Sequence, residues 1–340
     1  MSKKEEKILL AHGSGGLMMQ NLLGSLMFKE FGNEYLDQQT DSATLPVPQG
    51  EIAFTSDSFV IDPIFFPGGN IGKLAVCGTV NDLAVSGAIP LYLSVSLIIE
   101  EGLPLADLET IVKSLSAEAK KAGVKVVTGD TKVVNRGKCD KIFINTAGVG
   151  QFRADGRRAE GYNSIKAGDC ILVTGTIGDH GMAILNARES FHFKSPLLSD
   201  CACLNGMVQQ LLDEGLQLKF MRDPTRGGVA AVLNELVSKV PFGIEIEESE
   251  LPLNASVKAM AELLGFEPLS VANEGKLIIV TSEDDAPGVL SSLKSHEFGK
   301  DASIIGQIVE THPGKVAMTT LTGGKRLIDV PAGELLPRIC

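Results

Sequence analysis

The chain has 340 residues, 44% of them hydrophobic and 21% charged, a balance typical of a soluble globular protein with room for two domains. The net charge of −11 argues against electrostatic binding to a nucleic-acid backbone or an anionic membrane. The first residues are rich in charge, and no apolar run approaches the ~20 residues of a membrane span. We therefore expect a cytoplasmic protein that binds neither nucleic acid nor membrane.

The first motif is glycine-rich and lies in an N-terminal segment that we place at residues 1–40. Its bare backbone can bring N–H groups close to a phosphate. Because it lacks the lysine of the usual phosphate loop, a flexible turn is an equal alternative. The motif is His12, Gly13, Ser14, Gly15 and Gly16.

The next domain is predicted at residues 41–155 and alternates strands with helices. Asp57 follows its first strand, Asp130 follows a later one, and Asp82 interrupts an otherwise apolar helix. A buried carboxylate in such places needs a partner or a function. We predict strands at 51–55, 91–99, 124–127 and 141–150, and helices at 73–88 and 104–122, the second of which stops at Gly123.

A second domain is predicted at residues 156–330. Its most informative loop, residues 222–228, contains Asp223 and Arg226 and opens a helix, as phosphate and Mg²⁺ sites often do. A tight turn with a capping aspartate is the alternative reading. We predict strands at 170–174, 276–281, 303–309 and 326–330, helices at 204–214, 229–239 and from about 182, an irregular stretch at 190–199 and a solvated acidic run at 247–250.

Six cysteines are scattered without CxxC pairs, which argues against a zinc ribbon or a disulfide framework. Cys77 and Cys170 lie in apolar runs and are predicted core residues. Cys201 and Cys203 give a weak metal or redox signal, with a structural role favoured. The remaining two are Cys139 and Cys340.

Residues 331–340 read as an extended, mobile C-terminal tail, because they carry proline and glycine without any period. Fully extended, this tail spans roughly 33 Å. It ends in Cys340, so it can deliver a thiol into a pocket of its own subunit or of another protein.

Four aspartates stand beside glycine, serine, threonine or asparagine. If they converge they cannot all stay ionised without cations, and several carboxylates together with a triphosphate suit Mg²⁺. These residues are Asp57, Asp82, Asp130 and Asp223.

From about residue 8 to the end, the chain resembles the HypE family of hydrogenase maturation factors. Its central motifs are similar to those of the wider PurM-like superfamily, and its cysteine-ending tail is typical of HypE. The motifs are His12-Gly13-Ser14-Gly15-Gly16, Thr55-Ser56-Asp57-Ser58, Gly78-Thr79-Val80-Asn81-Asp82-Leu83-Ala84, Thr128-Gly129-Asp130-Thr131-Lys132, Asp223-Pro224-Thr225-Arg226-Gly227-Gly228 and Pro337-Arg338-Ile339-Cys340.

The resemblance implies an α+β fold of two α/β-type PurM-like subdomains and a homodimer formed through the N-terminal sheet. It implies that a carbamoyltransferase, HypF, places a carboxamide on Cys340. ATP then drives dehydration of that group to a thiocyanate, and cyanide passes to iron on a HypC–HypD complex.

The resemblance also implies roles for individual residues. Glu274 is the expected general base and Lys132 stabilises the carboxamide oxygen, although a plain surface salt bridge is an equal reading for both. The glycine segment closes over the phosphates. The remaining expected ligands are Asp57, Asp82, Asp130 and Asp223 for Mg²⁺, Arg226 and Lys73 for phosphate, and Asn81 for ATP.

Two other functions remain open from the sequence. The first is a small-molecule enzyme of the same superfamily, such as a selenophosphate synthetase or a thiamine-monophosphate kinase, for which Cys340 would be dispensable. The second is a non-enzymatic carrier that binds metal through Cys340, with Cys201 and Cys203, and does not need ATP.

Overall fold

The computed structural model describes residues 6–40, 42–48, 50–188, 196–330, 336 and 338–340. Its first helical segment was not predicted. It runs without interruption from Leu17 to Phe31 and buries Leu26 and Met27 in the core of the N-terminal domain. The segment consists of α1 (Leu17–Leu22), a π-helical part (Leu23–Met27) and α2 (Phe28–Phe31), flanked by 3₁₀ turns at Leu10–Gly13 and Leu36–Gln38.

The N-terminal domain is a four-stranded sheet with helices on one face. Its elements are β1 (Ile52–Phe59), β2 (Phe65–Phe66), β3 (Gly69–Asn70), α3 (Ile71–Val85), β4 (Ile89–Glu100), α4 (Leu105–Ala122), β5 (Lys125–Val134) and β6 (Ile142–Gln151). The strand order is β1-β6-β4-β5, with β4 and β5 parallel and the other neighbours antiparallel. The opposite face is open, and the side chain of Phe54 on it is 69% exposed.

The helix ends follow from the sequence. The side chain of Asn70 accepts hydrogen bonds from the backbone N–H groups of Gly72 and Lys73 and so caps α3. Helix α4 ends at Gly123, which adopts φ 75° as its C-cap. The predicted helix at 104–122 and its glycine stop are confirmed.

The second domain contains a seven-stranded sheet of order β13-β12-β9-β11-β7-β10-β8. Its neighbours pair antiparallel, except β9 and β12, which run parallel. The elements are β7 (Cys170–Val173), α5 (Asp179–Arg188), α6 (Asn205–Asp213), β8 (Phe220–Arg222), α7 (Gly228–Val237), β9 (Gly243–Glu247), α8 (Ala255–Leu264), β10 (Ile278–Thr281), α9 (Ala286–Ser295), β11 (Ser303–Val309), β12 (Val316–Thr319) and β13 (Lys325–Leu327), with 3₁₀ turns at Tyr162–Ser164, Glu248–Glu250 and Pro268–Ser270.

Most predicted elements of this domain are confirmed, and β11 has the predicted bounds. The prediction missed β8, β9, β12, α8 and α9. The acidic run is a continuation of β9 followed by a 3₁₀ turn. Most of the stretch predicted as irregular, 190–199, lies outside the described residues, as does most of the tail.

The predictions for β1 and β5 are wrong at their ends, because β1 continues through Asp57 and β5 continues through Asp130 instead of stopping before them. The pairing of β4 with β5 shifts between Leu93 and Ser94, where Val126 and Val127 are both buried. This bulge reverses the alternation of the side chains beyond it.

The two domains share a core. Buried Asn81 of α3 donates to the carbonyl oxygens of Ala202 (3.0 Å) and Glu274 (3.4 Å) and accepts from the backbone N–H of Leu204 (2.8 Å). This placement gives Asn81 contacts between the domains, and its expected contact with ATP stays a prediction. Across the described part of the chain, no helix combines the length and apolarity needed to cross a membrane.

Candidate active site at the domain interface

Three of the four singled-out aspartates converge where β1, α3 and the loop after β8 meet. Thr79 Oγ1 donates to Asp57 Oδ2 (3.2 Å), and Thr55 Oγ1 donates to Asp82 Oδ2 (2.7 Å). Asp223 is buried and lies within electrostatic range of both carboxylates. We call Asp57, Asp82 and Asp223 the acidic cluster.

The acidic cluster holds more negative charge than the protein balances. Burial and then the charge of Asp82 raise the pKa of Asp57 to about 6, against a smaller opposing effect of Arg226. Burial, and then Asp82, raise the pKa of Asp223 to about 7. Carboxylate oxygens that are buried and crowded by like charge are suitable ligands for Mg²⁺, so the residues fit the cation that the sequence predicts.

Glu274 lies buried beside the acidic cluster. Its backbone N–H donates to Asp200 Oδ1 (3.0 Å), and Lys276 Nζ lies 3.6 Å from Asp200 Oδ2. Its own Oε1 has no hydrogen-bond partner among the described residues. Burial, followed by the charges of Asp223, Asp200 and Asp57, raises the pKa of Glu274 well above its ordinary value. A buried carboxyl with a free oxygen is available to exchange a proton with a group placed next to it.

The end of the tail supplies that group. The backbone N–H of Val60 donates to the Cys340 carbonyl (3.1 Å), and that of Asp62 donates to the Arg338 carbonyl (3.3 Å). His180 Nε2 lies 2.8 Å from the Ile339 carbonyl oxygen. The tail therefore enters the site of its own chain.

The thiol of Cys340 is placed among the predicted catalytic groups. Burial and then the charge of Glu274 raise its pKa to about 12, while Arg226 acts in the opposite direction. Asp57 and Asp223 contribute smaller effects of the same sign as Glu274. The last residue, the expected base and the acidic cluster thus form one site.

Asp130, Lys132 and the glycine motif form a second group on the far edge of the sheet, to which Lys73, Asn81 and Arg226 do not belong. Lys132 Nζ pairs with Asp130 Oδ1 at 2.8 Å, and both side chains are exposed. Asp57 pairs with Thr146, Thr146 pairs with Val95, and Val95 pairs with Gly129, so these four residues share one face of the sheet. Asp130, the next residue after Gly129, therefore lies on the opposite face. Three strand spacings of about 4.8 Å separate the two edges, roughly 14 Å in total.

The glycine motif belongs to this second group. A Cβ atom added to Gly13 would lie 2.6 Å from the backbone nitrogen of Val133, so the motif rests directly against β5. Gly15 and Gly16 are exposed.

Lys73 lies at the start of α3 and donates to the Gly68 carbonyl (3.1 Å).

Several site residues were not predicted. Thr55 and Thr79 lie within the motifs that name Asp57 and Asp82, and so had a signal. His180, Asp200 and Lys276 had none, because isolated polar residues acquire their roles only through tertiary contacts.

Comparison with known proteins defines the class first. Residues 39–152 match the AIR synthase related protein N-terminal domain and residues 166–319 match the corresponding C-terminal domain. The thiamine monophosphate kinase of Aquifex aeolicus, at 20% identity and a TM-score of 0.59, has the same fold. The chain is therefore a two-domain PurM-like protein.

Closer relatives define the family. The chain is 50% identical to carbamoyl dehydratase HypE of Escherichia coli K12, over 98% of this chain and 99% of that protein. It is 46% identical to the HypE of Rhizobium leguminosarum bv. viciae, over 98% and 95%. A crystal structure of HypE in complex with ATP aligns with a TM-score of 0.92 at 42% identity, over 98% and 99% of the two chains. A structure of a HypE–HypF complex aligns at 0.79 and 48%, over 91% and 99%. The chain belongs to the HypE family of carbamoyl dehydratases.

Proposed function

We propose that the chain dehydrates a carboxamide carried on the sulfur of Cys340 to a thiocyanate, with ATP as phosphoryl donor, and so provides cyanide for [NiFe]-hydrogenase maturation. The observation that carries this proposal is the position of Cys340, held by its own tail beside Glu274 and the acidic cluster. An enzyme for a free small molecule would have no use for this contact.

The chemistry requires a better leaving group than an amide oxygen. That oxygen attacks the γ-phosphorus of ATP, the bond from phosphorus to its bridging oxygen breaks, and ADP leaves. The carbon–oxygen bond then breaks and phosphate leaves. The nitrogen loses both protons as the carbon–nitrogen triple bond forms, one proton in each step.

The acidic cluster would hold Mg²⁺ with the nucleotide. When bound, the cation neutralises the charge of the phosphates. Arg226 adds positive charge on the same side, since its field reaches Asp57, Glu274 and Cys340. Lys73, which is near Cys201, remains a predicted phosphate ligand.

Glu274 is the proposed base for the carboxamide nitrogen. It is buried against the tail, which excludes water from the group it deprotonates. Its orientation is set from the backbone, because Asp200 holds its N–H and Lys276 holds Asp200.

Two subunits would complete the site. The second group, with Asp130, Lys132 and the glycine motif, lies too far from the acidic cluster to act on the same ATP within one chain. The open sheet face exposes Phe54, Ile52 and Ile98 and is suited to meet a second copy of itself. A two-fold dimer through this face would bring the β5 edge of one subunit to the β1 edge of its partner.

The proposed partners follow from the reaction. A relative has been solved in complex with HypF, and a carbamoyltransferase of this kind would load the tail. A HypC–HypD complex carrying iron would receive the cyanide. In both exchanges the tail must leave its groove, which means breaking the contacts of Arg338 and Ile339.

Intact-mass spectrometry tests the proposal. The chain is loaded by HypF with carbamoyl phosphate and then given ATP and Mg²⁺. We expect a carbamoyl adduct that loses the mass of one water, and no adduct on Cys340→Ala. An adduct on Cys340 that keeps its full mass with ATP present would contradict the proposal.

A further inference from the structure

A cluster of sulfur and carboxylate ligands lies between the domains, apart from the acidic cluster. Cys77 of α3 and Cys203 are both buried, with their Sγ atoms 3.5 Å apart. A carboxylate oxygen of Glu118, from α4, lies within 4.8 Å of both sulfur atoms. A third buried thiol, Cys201, lies close enough to Cys77 to affect its pKa.

We propose that Cys77, Cys203 and Glu118 bind a zinc-class divalent metal ion that fastens the two domains together. Thiolate ligands select borderline or soft metals such as Zn²⁺ over Mg²⁺. In a tetrahedral site with Zn–S bonds of about 2.3 Å, two sulfur atoms lie about 3.8 Å apart. The observed separation therefore needs to change by only a few tenths of an ångström.

The surrounding hydrogen bonds hold the ligands in place. Asn81 binds the backbone of Ala202 and Leu204 on either side of Cys203. Asn205 Nδ2 donates to the Ala122 carbonyl at 2.9 Å, which ties the end of α4 to the start of α6. Both contacts bring the ligands together before any metal arrives.

The site is separate from the proposed chemistry and does not involve Cys340. Each domain contributes, since α3 and α4 belong to the first and Cys203 precedes α6 of the second. A metal here would stabilise the short segment from Asp200 to Cys203, which packs against the backbone of Glu274. It would also raise the stability of the whole chain by binding only its folded form.

Cobalt titration tests this inference on the full-length chain carrying Cys340→Ala, so that the tail thiol cannot contribute. Excess Mg²⁺ occupies carboxylate sites, and a thiol-free reductant keeps the cysteines reduced. We expect one Co²⁺ per chain with a thiolate-to-cobalt absorption band in the near ultraviolet, displaced by Zn²⁺. Absence of this band would overturn the proposal.

Variants assign the ligands. Adding Cys77→Ser or Cys203→Ser should abolish or at least halve the band. Glu118→Gln should weaken binding by about tenfold or more and remove the increase in melting temperature that Zn²⁺ gives the parent. Cys170→Ser, outside the cluster, is the matched control and should change nothing. A band that survives both Cys77→Ser and Cys203→Ser would overturn the assignment. If a cysteine variant fails to fold, Glu118→Gln, at a half-buried position, still tests the site: unchanged metal affinity in this variant would overturn the assignment.

Discussion

The carbonyl oxygen of Ile339 lies 2.8 Å from Nε2 of His180, a residue that is 0% exposed. Because a carbonyl only accepts, Nε2 carries the proton, and Nδ1 of the neutral ring accepts from Ser199 Oγ at 2.8 Å. One buried histidine thus fixes the end of the tail, and with it the position of the Cys340 sulfur.

Replacing His180 should therefore slow dehydration. In His180→Ala the tail loses a buried hydrogen bond of about 0.5–1.5 kcal/mol, so we expect up to about a tenfold lower single-turnover rate of water loss. The rate is followed by intact mass, and loading by HypF should continue. His296→Ala, a partly buried histidine elsewhere in the second domain, is the control. An unchanged rate in His180→Ala would show that this contact does not position the sulfur.

Acid should destabilise the folded state through the same histidine. Burial lowers the pKa of His180 below its ordinary value of 6.5. Its contribution to stability is therefore complete above about pH 6.5 and declines as the pH falls below that value, because the unfolded ring takes a proton that the folded ring does not. The raised pKa values of Asp57 and Asp223 act in the opposite sense.

The difference between the wild type and His180→Gln cancels the effect of these aspartates. Unfolding free energies from about pH 5 to 7.5 should fall more steeply toward acid in the wild type. Parallel curves for the two proteins would exclude His180 as the titrating group.

Glu274→Gln should separate loading from dehydration. The variant keeps the shape of the side chain but cannot accept a proton, so we expect water loss to slow by roughly 10²–10⁴-fold. Loading of Cys340 and ATP binding should be retained. Glu262→Gln, an exposed residue of α8, serves as the control. A variant that dehydrates at the normal rate would require another base.

Asn81→Ala should weaken the contact between the domains. The change leaves the carbonyl of Ala202 and the N–H of Leu204 without these partners, at about 1–3 kcal/mol for each one that stays buried and unpaired, while the Glu274 carbonyl keeps the N–H of Ala202. We expect a lower urea midpoint with little change in the ATP dissociation constant of the folded protein, relative to exposed Asn21→Ala. Normal stability together with weakened ATP binding would instead support the role in ATP binding expected from the sequence.

The proposed dimer makes a sharp complementation prediction. Asp57→Asn and Lys132→Ala chains should each be inactive alone, because each lacks one half of every site. In a mixed dimer one site regains both wild-type residues, so about half of the activity per dimer should return in subunit-exchange mixtures. Lack of recovery in dimers shown to contain both chains would place Lys132 and Asp57 in the same subunit's site.

The sequence predicted the three aspartates of the acidic cluster, but it could not show that Asp130 lies apart from them within the chain. Asp57 and Asp82 lie in motifs whose threonines, Thr55 and Thr79, donate to the same cluster, and Asp223 lies in the motif of Arg226. Asp130 carries an equally good motif, yet the bulge at Val127 turns it to the other face of the sheet. A one-residue change of register leaves no trace in composition or periodicity.

The tail illustrates the same limit. A terminal cysteine after proline and glycine predicts a thiol that can be delivered, but its destination depends on His180 and on the backbone of Val60 and Asp62. His180 lies 159 positions before Ile339 in the sequence. Val60 and Asp62 lie still further from the tail residues that they contact. Long-range contacts of this kind exist only once both domains are assembled.

The most direct measurement asks whether the sulfur of a chain is processed in that chain's own site. Carbamoylated Glu274→Gln is mixed with Cys340→Ala, which has an intact Glu274 but no thiol, and ATP is added after the subunits have exchanged. We predict that the carbamoyl adduct on the Glu274→Gln chain keeps its full mass, while carbamoylated wild type loses water under the same conditions. Rapid water loss in the mixture would contradict the account, because the tail would then be acting in the site of another subunit.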